Sequence, residues 1–195
     1  FDLGTVGAGT GALAAMQKGG LGSVSLKLGN GYTVAALVVA NPLGSVTTSG
    51  GKYFWAAPFE FENEFGGLGP DIGLDLFNSK KSPKNKAMKV HSTQISNTTI
   101  AIVATDAPLS KTQCYRMSVA AHDGMARAIV PSHTLHDGDL VFALSTTKGQ
   151  IDHETFCDIG AAAAVCLSRA IARGVYEATS VEHDVLPTYK QINRI

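Results

Sequence analysis

The spacing of apolar and polar positions changes several times along the chain, and each change marks an element. Residues 21–28 read Leu-x-Ser-Val-Ser-Leu-x-Leu, an alternation that suits a strand, and residues 32–40 are nearly all apolar. Between them Gly29-Asn30-Gly31 supplies residues that tolerate positive φ, so the two runs predict a β-hairpin with an Asn-Gly turn. The return strand lacks polar alternation, which predicts cover on both of its faces. Asn41-Pro42-Leu43-Gly44 ends it abruptly, and residues 45–56 predict a further short strand up to Trp55.

Residues 57–89 lose this order. Glu60, Glu62, Glu64, Asp71 and Asp75 come first, then Lys80, Lys81, Lys84, Lys86 and Lys89 around Ser82-Pro83. Such blocks read first as a solvated connector whose charges cancel, and second as a basic docking site. So long a connector is uncommon inside a compact domain. Beyond it, residues 100–105 predict a strand, and Pro108 stands near the start of a helix over 109–130. Its apolar positions Cys114, Met117, Ala121, Met125 and Ala128 recur at three and four, and Pro131 stops it. A polar loop over 132–139 leads into a strand over 140–145. Asp152 can cap a last helix running to about residue 179, where Ile159, Ala163, Cys166, Ala170 and Val175 form a small-residue face. The tail from Pro187 carries no strong signal. Both helices come late, which predicts α+β layers rather than a repeating βαβ wheel.

Composition narrows the function classes. The 195 residues carry 16 basic and 16 acidic side chains, and a net charge of zero argues against a nucleic-acid partner. No run of about 18 consecutive apolar residues predicts a membrane span. Three cysteines without a CxxC pair predict a reducing, cytoplasmic compartment, with the thiols packed as small hydrophobes. The length predicts one domain. Glycine, at 21 residues, exceeds the usual ~7% and is concentrated early, where residues 4–12 read as a backbone loop. Gly7-x-Gly9-x-x-Ala12 formally fits a dinucleotide fingerprint, yet no Asp or Glu occurs between Ala12 and Glu60 to take the ribose hydroxyls. A loop that lets backbone approach another element or a substrate is the better reading.

His133 and His136 with Asp137 and Asp139 resemble metal ligands, but no third histidine or cysteine lies close in sequence, and the calcium-loop pattern is incomplete. No metal and no cofactor are expected. His122, inside the first long helix, reads as a hydrogen-bonded core histidine. Asn97-Thr98-Thr99 admits three readings: the start of a strand, a glycosylation sequon if the protein is secreted, or a scissile bond. A threonine just before a buried strand and after a long connector is where a self-cleaving precursor places its new N-terminus. The freed α-amino group, with a pKa near 8, can then activate the threonine hydroxyl.

Six stretches together resemble the L-aminopeptidase/D-amidase-esterase family, which includes the β-aminopeptidases and the nylon-oligomer hydrolase. They are VGAGTGA (6–12), KGGLGS (18–23), ANPLGSV (40–46), NTTIAIVATDAPLS (97–110), AHDGMARAI (121–129) and HTLHDGDLVFALST (133–146), in the family's order. The resemblance implies an αββα sandwich of the N-terminal-nucleophile type, cleaved between Asn97 and Thr98 into subunits 1–97 and 98–195 that remain one domain. It implies Thr98 as nucleophile, Asn41 as the amide that stabilises the oxyanion, Lys18 as a lysine near the nucleophile, and Asp137 and Asp139 as paired carboxylates. One carboxylate would orient the nucleophile and the other bind a substrate amine. Thr98 with two aspartates is the set of the nylon-oligomer hydrolase, where the β-aminopeptidases use serine, serine and glutamate. That favours hydrolysis of linear amides of amino acids, including ω-amino-acid oligomers such as those of 6-aminohexanoate. The family also implies a homo-oligomer, a tetramer of processed protomers, and a segment preceding VGAGTGA that carries a site-lining tyrosine. Two alternatives stay open: acyl transfer of the ornithine acetyltransferase type, and an inactive truncated relative acting as an assembly subunit.

Overall fold

The structure, a computed structural model, describes residues 1–71, 82–90 and 97–195. The predicted hairpin forms strands β1 (Gly20–Lys27) and β2 (Thr33–Asn41). Its turn closes through Leu28 and Tyr32, with Gly31 at φ 90° as the Asn-Gly signal requires. Helix α1 (Pro83–Val90) follows, then β3 (Thr98–Thr105), α2 (Lys111–Ala128), β4 (Leu140–Ser145), α3 (His153–Tyr176) and a short α4 (Tyr189–Asn193). The sheet order is β1-β2-β3-β4, antiparallel except for the parallel β3–β4 pair, which α2 connects. β3 begins two residues earlier than the apolar run predicts, at Thr98 itself.

Both long helices lie on one face of the sheet. α3 crosses β1 and β2, and α2 packs beside α3 and over β4. Local chemistry starts them: Ser110 and Gln113 form a capping box at α2, and the Asp152 carboxylate accepts the Thr155 N–H at α3. Met117 and Met125 of α2, Ile159, Leu167 and Ile171 of α3, and Val34, Val38 and Val103 of the sheet are fully buried. Each such side chain removed from water contributes ~1.5–3 kcal/mol. The small-residue face of α3 allows close approach, for a Cβ on Gly22 of β1 would collide with the Ala170 carbonyl. By length and composition α3 would suffice to cross a membrane, yet 61% of its most apolar window is buried inside the fold, as in the core helix of a globular domain.

Several expectations are corrected. Among the described residues β2 is covered on one face only: Val34, Ala36, Val38 and Ala40 are buried, whereas Leu37 on the opposite face is 37% exposed. Ile100, Ile102, Phe142 and Leu144 continue that open apolar face across β3 and β4. Its apolar run therefore reflects two apolar faces, of which the described residues cover one. Residues 45–56 make isolated bridges, Ser45 to Val130 and Thr47 to Phe54, instead of a strand. The first part of the connector is docked rather than solvated: Phe65 is buried and Glu64 takes a forked contact from Arg169 of α3. Asp75, Lys80 and Lys81 lie outside the described residues. The tail carries its own capping box, Thr188 with Gln191, which starts α4 and brings Tyr189 into an aromatic cluster with Phe54 and Tyr176. Of the cysteines, Cys166 is buried, Cys114 half-buried and Cys157 exposed.

Candidate active site

Strand register builds the site. Thr98 stands directly opposite Asn41 in the antiparallel β2–β3 pair, so their side chains project on the same side of the sheet. Alternation puts both on the open face, in line with Val39 and Ile100 and opposite in sense to buried Ala40 and Thr99. There they line a cavity of about 340 Å³ with Thr10, Gly11 and Ala12 of the glycine loop. That volume suits a small organic ligand. The loop turns at Gly7–Gly9 in a 3₁₀ helix and passes Gly11 at φ 79°, a conformation that glycine adopts without strain. Its role is thus to bring backbone against the cavity.

The Thr98 hydroxyl donates to the carbonyl oxygen of Asn97, the residue before it. The same carbonyl accepts the backbone N–H of Gly138 at 3.1 Å. A Cβ on Gly138 would stand 3.0 Å from Thr98 Oγ1, so the absence of a side chain there lets the loop close on the threonine. Asn97 is itself buried and bridges Asp137 in parallel fashion, with its Nδ2 donating to the His136 carbonyl at 3.4 Å.

Asp137 and Asp139 flank this point and turn their oxygens on backbone. Asp137 accepts the Leu43 N–H at 2.9 Å and, through its other oxygen, the Thr134 hydroxyl at 2.6 Å and N–H at 3.2 Å. Asp139, whose side chain is only 1% exposed, accepts the Thr99 N–H at 2.7 Å and the His133 N–H at 3.1 Å. The pair therefore ties the loop before β4 to both chain segments that meet at the site. His133 extends the contact outward: its Nδ1 lies 3.3 Å from Asp139, and its Nε2 lies 3.2 Å from His122 Nδ1. His122 is half-exposed at this relay and is not a core histidine. Burial, together with the neighbouring His133, lowers its pKa, against the pull of Asp139 and Asp123.

The two lysines behave differently from expectation. Lys18 is buried, but its ammonium pairs with Asp184 at 2.6 Å and its backbone N–H meets Pro187. Burial alone would raise the Asp184 pKa, yet the Lys18 hydrogen bond, the Val181 N–H and the Lys18 charge together hold it below the usual value. The structure thus brings Thr98, Asn41, Asp137 and Asp139 together and places the Lys18 ammonium on a partner outside that group. Lys84, one of the connector's basic residues, takes a place beside Asn41 instead. It is 1% exposed, and its Nζ donates to Asn41 Oδ1 at 3.1 Å and to the carbonyls of Leu13 (2.6 Å), Pro42 (3.0 Å) and Asn41 (3.3 Å). Burial pushes its pKa down to about 8, although the Asp137 charge pulls it upward. Asn41 Oδ1 also accepts the Leu13 N–H at 3.0 Å, so its oxygen end is defined by two donors. One lysine among the five of a charge-balanced run carries no sequence signal for such a place.

A four-stranded sheet backed by paired helices is the fold that solved structures of Ntn hydrolases share with this chain. Solved structures agree: an L-aminopeptidase D-Ala-esterase/amidase from Ochrobactrum anthropi, described as a variant of the Ntn hydrolase fold, superposes with TM-score 0.68 at 22% identity, covering 100% of this chain and 51% of that one. A Burkholderia β-aminopeptidase superposes with TM-score 0.62 at 23% identity, covering 100% of this chain and 52% of that one. Residues 1–185 match the model of peptidase family S58, and the chain belongs to that family. A Mycobacterium leprae protein named as an uncharacterized aminopeptidase is 40% identical over 96% of this chain and 52% of its own length. A 6-aminohexanoate-oligomer endohydrolase from a Kocuria species is 28% identical over 76% of this chain and 41% of its own length. The chain spans about half the length of the curated relatives it matches.

Proposed function

We propose that the whole protein is a self-processing amide hydrolase whose nucleophile is Thr98, and that its substrates are linear amides of amino acids, ω-amino-acid oligomers among them. The observation that carries this reading is the contact at the 97–98 bond: the Thr98 hydroxyl lies on the Asn97 carbonyl, whose oxygen already receives the Gly138 N–H. Attack of Oγ1 on the Asn97 carbonyl carbon forms an ester as the C–N bond breaks, and the leaving nitrogen takes up a proton. The Gly138 N–H supports the negative charge that develops on the Asn97 oxygen. Water then hydrolyses the ester, leaving a carboxylate on Asn97 and a free α-amine on Thr98.

That amine, with an ordinary pKa near 8, serves as the base for the Thr98 hydroxyl in each later turnover. The incoming amide carbon is attacked in the cavity that Thr98 and Asn41 share. The Asn41 amide is the oxyanion donor, and Asp137 and Asp139 hold the loop that completes the site. Family membership and the relatives named as aminopeptidase and oligomer hydrolase support the substrate class. On a denaturing gel the whole protein should resolve into two fragments, the smaller beginning at Thr98 by N-terminal sequencing. A single band, identical for wild type and Thr98→Ala, defeats the proposal.

A further inference from the structure

Lys84 stands out because burial of an ammonium is expensive and its setting offers poor compensation. Among the described residues no carboxylate lies within ion-pair distance of it, and its Nζ is surrounded by neutral oxygens. Lys18, equally buried, has Asp184 at 2.6 Å. An apolar side chain of similar volume would generally stabilise a fold better than an unpaired buried charge. What Lys84 does instead is directional. It reaches from α1 to the end of β2 and joins the Leu13 backbone, the Pro42 backbone and the Asn41 carboxamide at one atom.

We propose that Lys84 is a positioning residue of the active site, which acts through Asn41 by holding the amide oxygen so that the donor nitrogen is presented to the substrate oxyanion. The planar carboxamide makes this coupling rigid: with Oδ1 fixed by Lys84 and the Leu13 N–H, the Nδ2 end has one direction. The inference rests on the reading of Thr98 and Asn41 given above. It also gives the connector a task, since α1 carries Lys84 into the site from the stretch that precedes the scissile bond.

The ammonium form is the one that serves, because a neutral amine keeps one lone pair that repels an amide oxygen. Lys84 titrates near 8, with Asp137 the charged group that acts on it among the described residues. Turnover of an amino-acid p-nitroanilide should therefore fall on the alkaline side, about tenfold per pH unit, with its midpoint near pH 8. The test measures kcat and KM across pH 6–10.5, per processed chain of the whole protein. Lys84→Arg, which stays charged, should lose the alkaline limb. Lys84→Met should lower kcat about 10²-fold below pH 8 with little change in KM, the gap to wild type closing as pH rises through that midpoint. In an Asn41→Ala background the same Lys84→Met change should add less than about threefold, because both act through one group.

Retention of wild-type kcat by Lys84→Met overturns the proposal, as does an alkaline limb that survives in Lys84→Arg or full additivity with Asn41→Ala. Should Lys84→Met fail to fold, the arginine profile decides alone. A wild type that turns over the amide while Thr98→Ala does not, with Lys84 variants unchanged, removes Lys84 and leaves the hydrolase standing. Absence of Thr98-dependent turnover removes both.

Discussion

Strands β2 and β3 run from one kind of structure into another. Away from the site, Val34, Val38, Ala101 and Val103 pack their apolar side chains beneath α3 and α2, with one weak directed contact, from the Cys166 thiol to the Val34 carbonyl at 3.4 Å. At their ends, Asn41 and Thr98 sit among directed contacts: Asp139 on the Thr99 N–H, Asp137 on the Leu43 N–H, Gly138 on the Asn97 carbonyl and Lys84 on the Asn41 amide. The first region supplies the apolar burial that stabilises the fold. The second holds its groups through directed hydrogen bonds, whose strength depends on distance and angle. Stability and turnover should therefore respond to different substitutions, and the two ends of one strand should be separable by experiment.

The largest separation should come at Thr98. Thr98→Ala should abolish processing and reduce amide turnover by about four to six powers of ten, with thermal stability within ~0.5 kcal/mol of wild type. A comparable fall in melting temperature would break the distinction. At the other end of the comparison, Ile171→Ala leaves a hole between α3 and the sheet and should cost ~2–5 kcal/mol in denaturant unfolding. Its kcat per folded molecule should stay within about threefold of wild type.

Next in size is the pH dependence that Lys84 imposes. Its folded pKa of about 8 lies below the ordinary lysine value of 10.5, so between these values the unfolded chain binds the extra proton. Stability relative to Lys84→Met should accordingly rise with pH across that window, by on the order of 3 kcal/mol at most. A difference that is flat or falls with pH contradicts the burial of a charged Lys84. The smallest effect belongs to the histidine relay. His122 has its folded pKa below the usual value of 6.5, so its protonation opposes folding and stability should decline as pH drops through the range just beneath 6.5. His122→Gln should flatten that decline in melting curves taken between pH 7 and 5, while wild-type and variant curves that stay parallel would exclude the relay as its source.

What could be read in advance divides along the same line. Elements with a local cause were legible: the Asn-Gly turn, the Ser110 and Asp152 caps, and the three-and-four spacing in α2 and α3 all lie within a few residues of what they specify. Thr98, Asn41, Asp137 and Asp139 were legible as a group through a family resemblance, and strand register brings the first two face to face. The Thr188–Gln191 box had the same local form as Ser110–Gln113 but no apolar run behind it to draw notice. Pairings over long separations were not legible. Lys18 meets Asp184 across 166 residues, and Lys84 meets Leu13 across 71, with nothing near either lysine in sequence to mark the partner. Cover on a strand face is likewise a property of the whole assembly. An apolar run such as β2 states what a face can tolerate, and the described residues leave Leu37 in the open.

The register of β2 against β3 also bears on what a break between Asn97 and Thr98 would do to the chain. Everything before the break includes β1 and β2; everything after it includes β3, β4, α2 and α3. The seam between the pieces would run along the β2–β3 ladder and across the underside of α3, the most deeply buried ground in the molecule. Two polypeptides would then share a single interior that neither can close alone. Their association would be coupled to folding, so denaturant would unfold and separate them in the same transition, at a midpoint that falls as the protein is diluted.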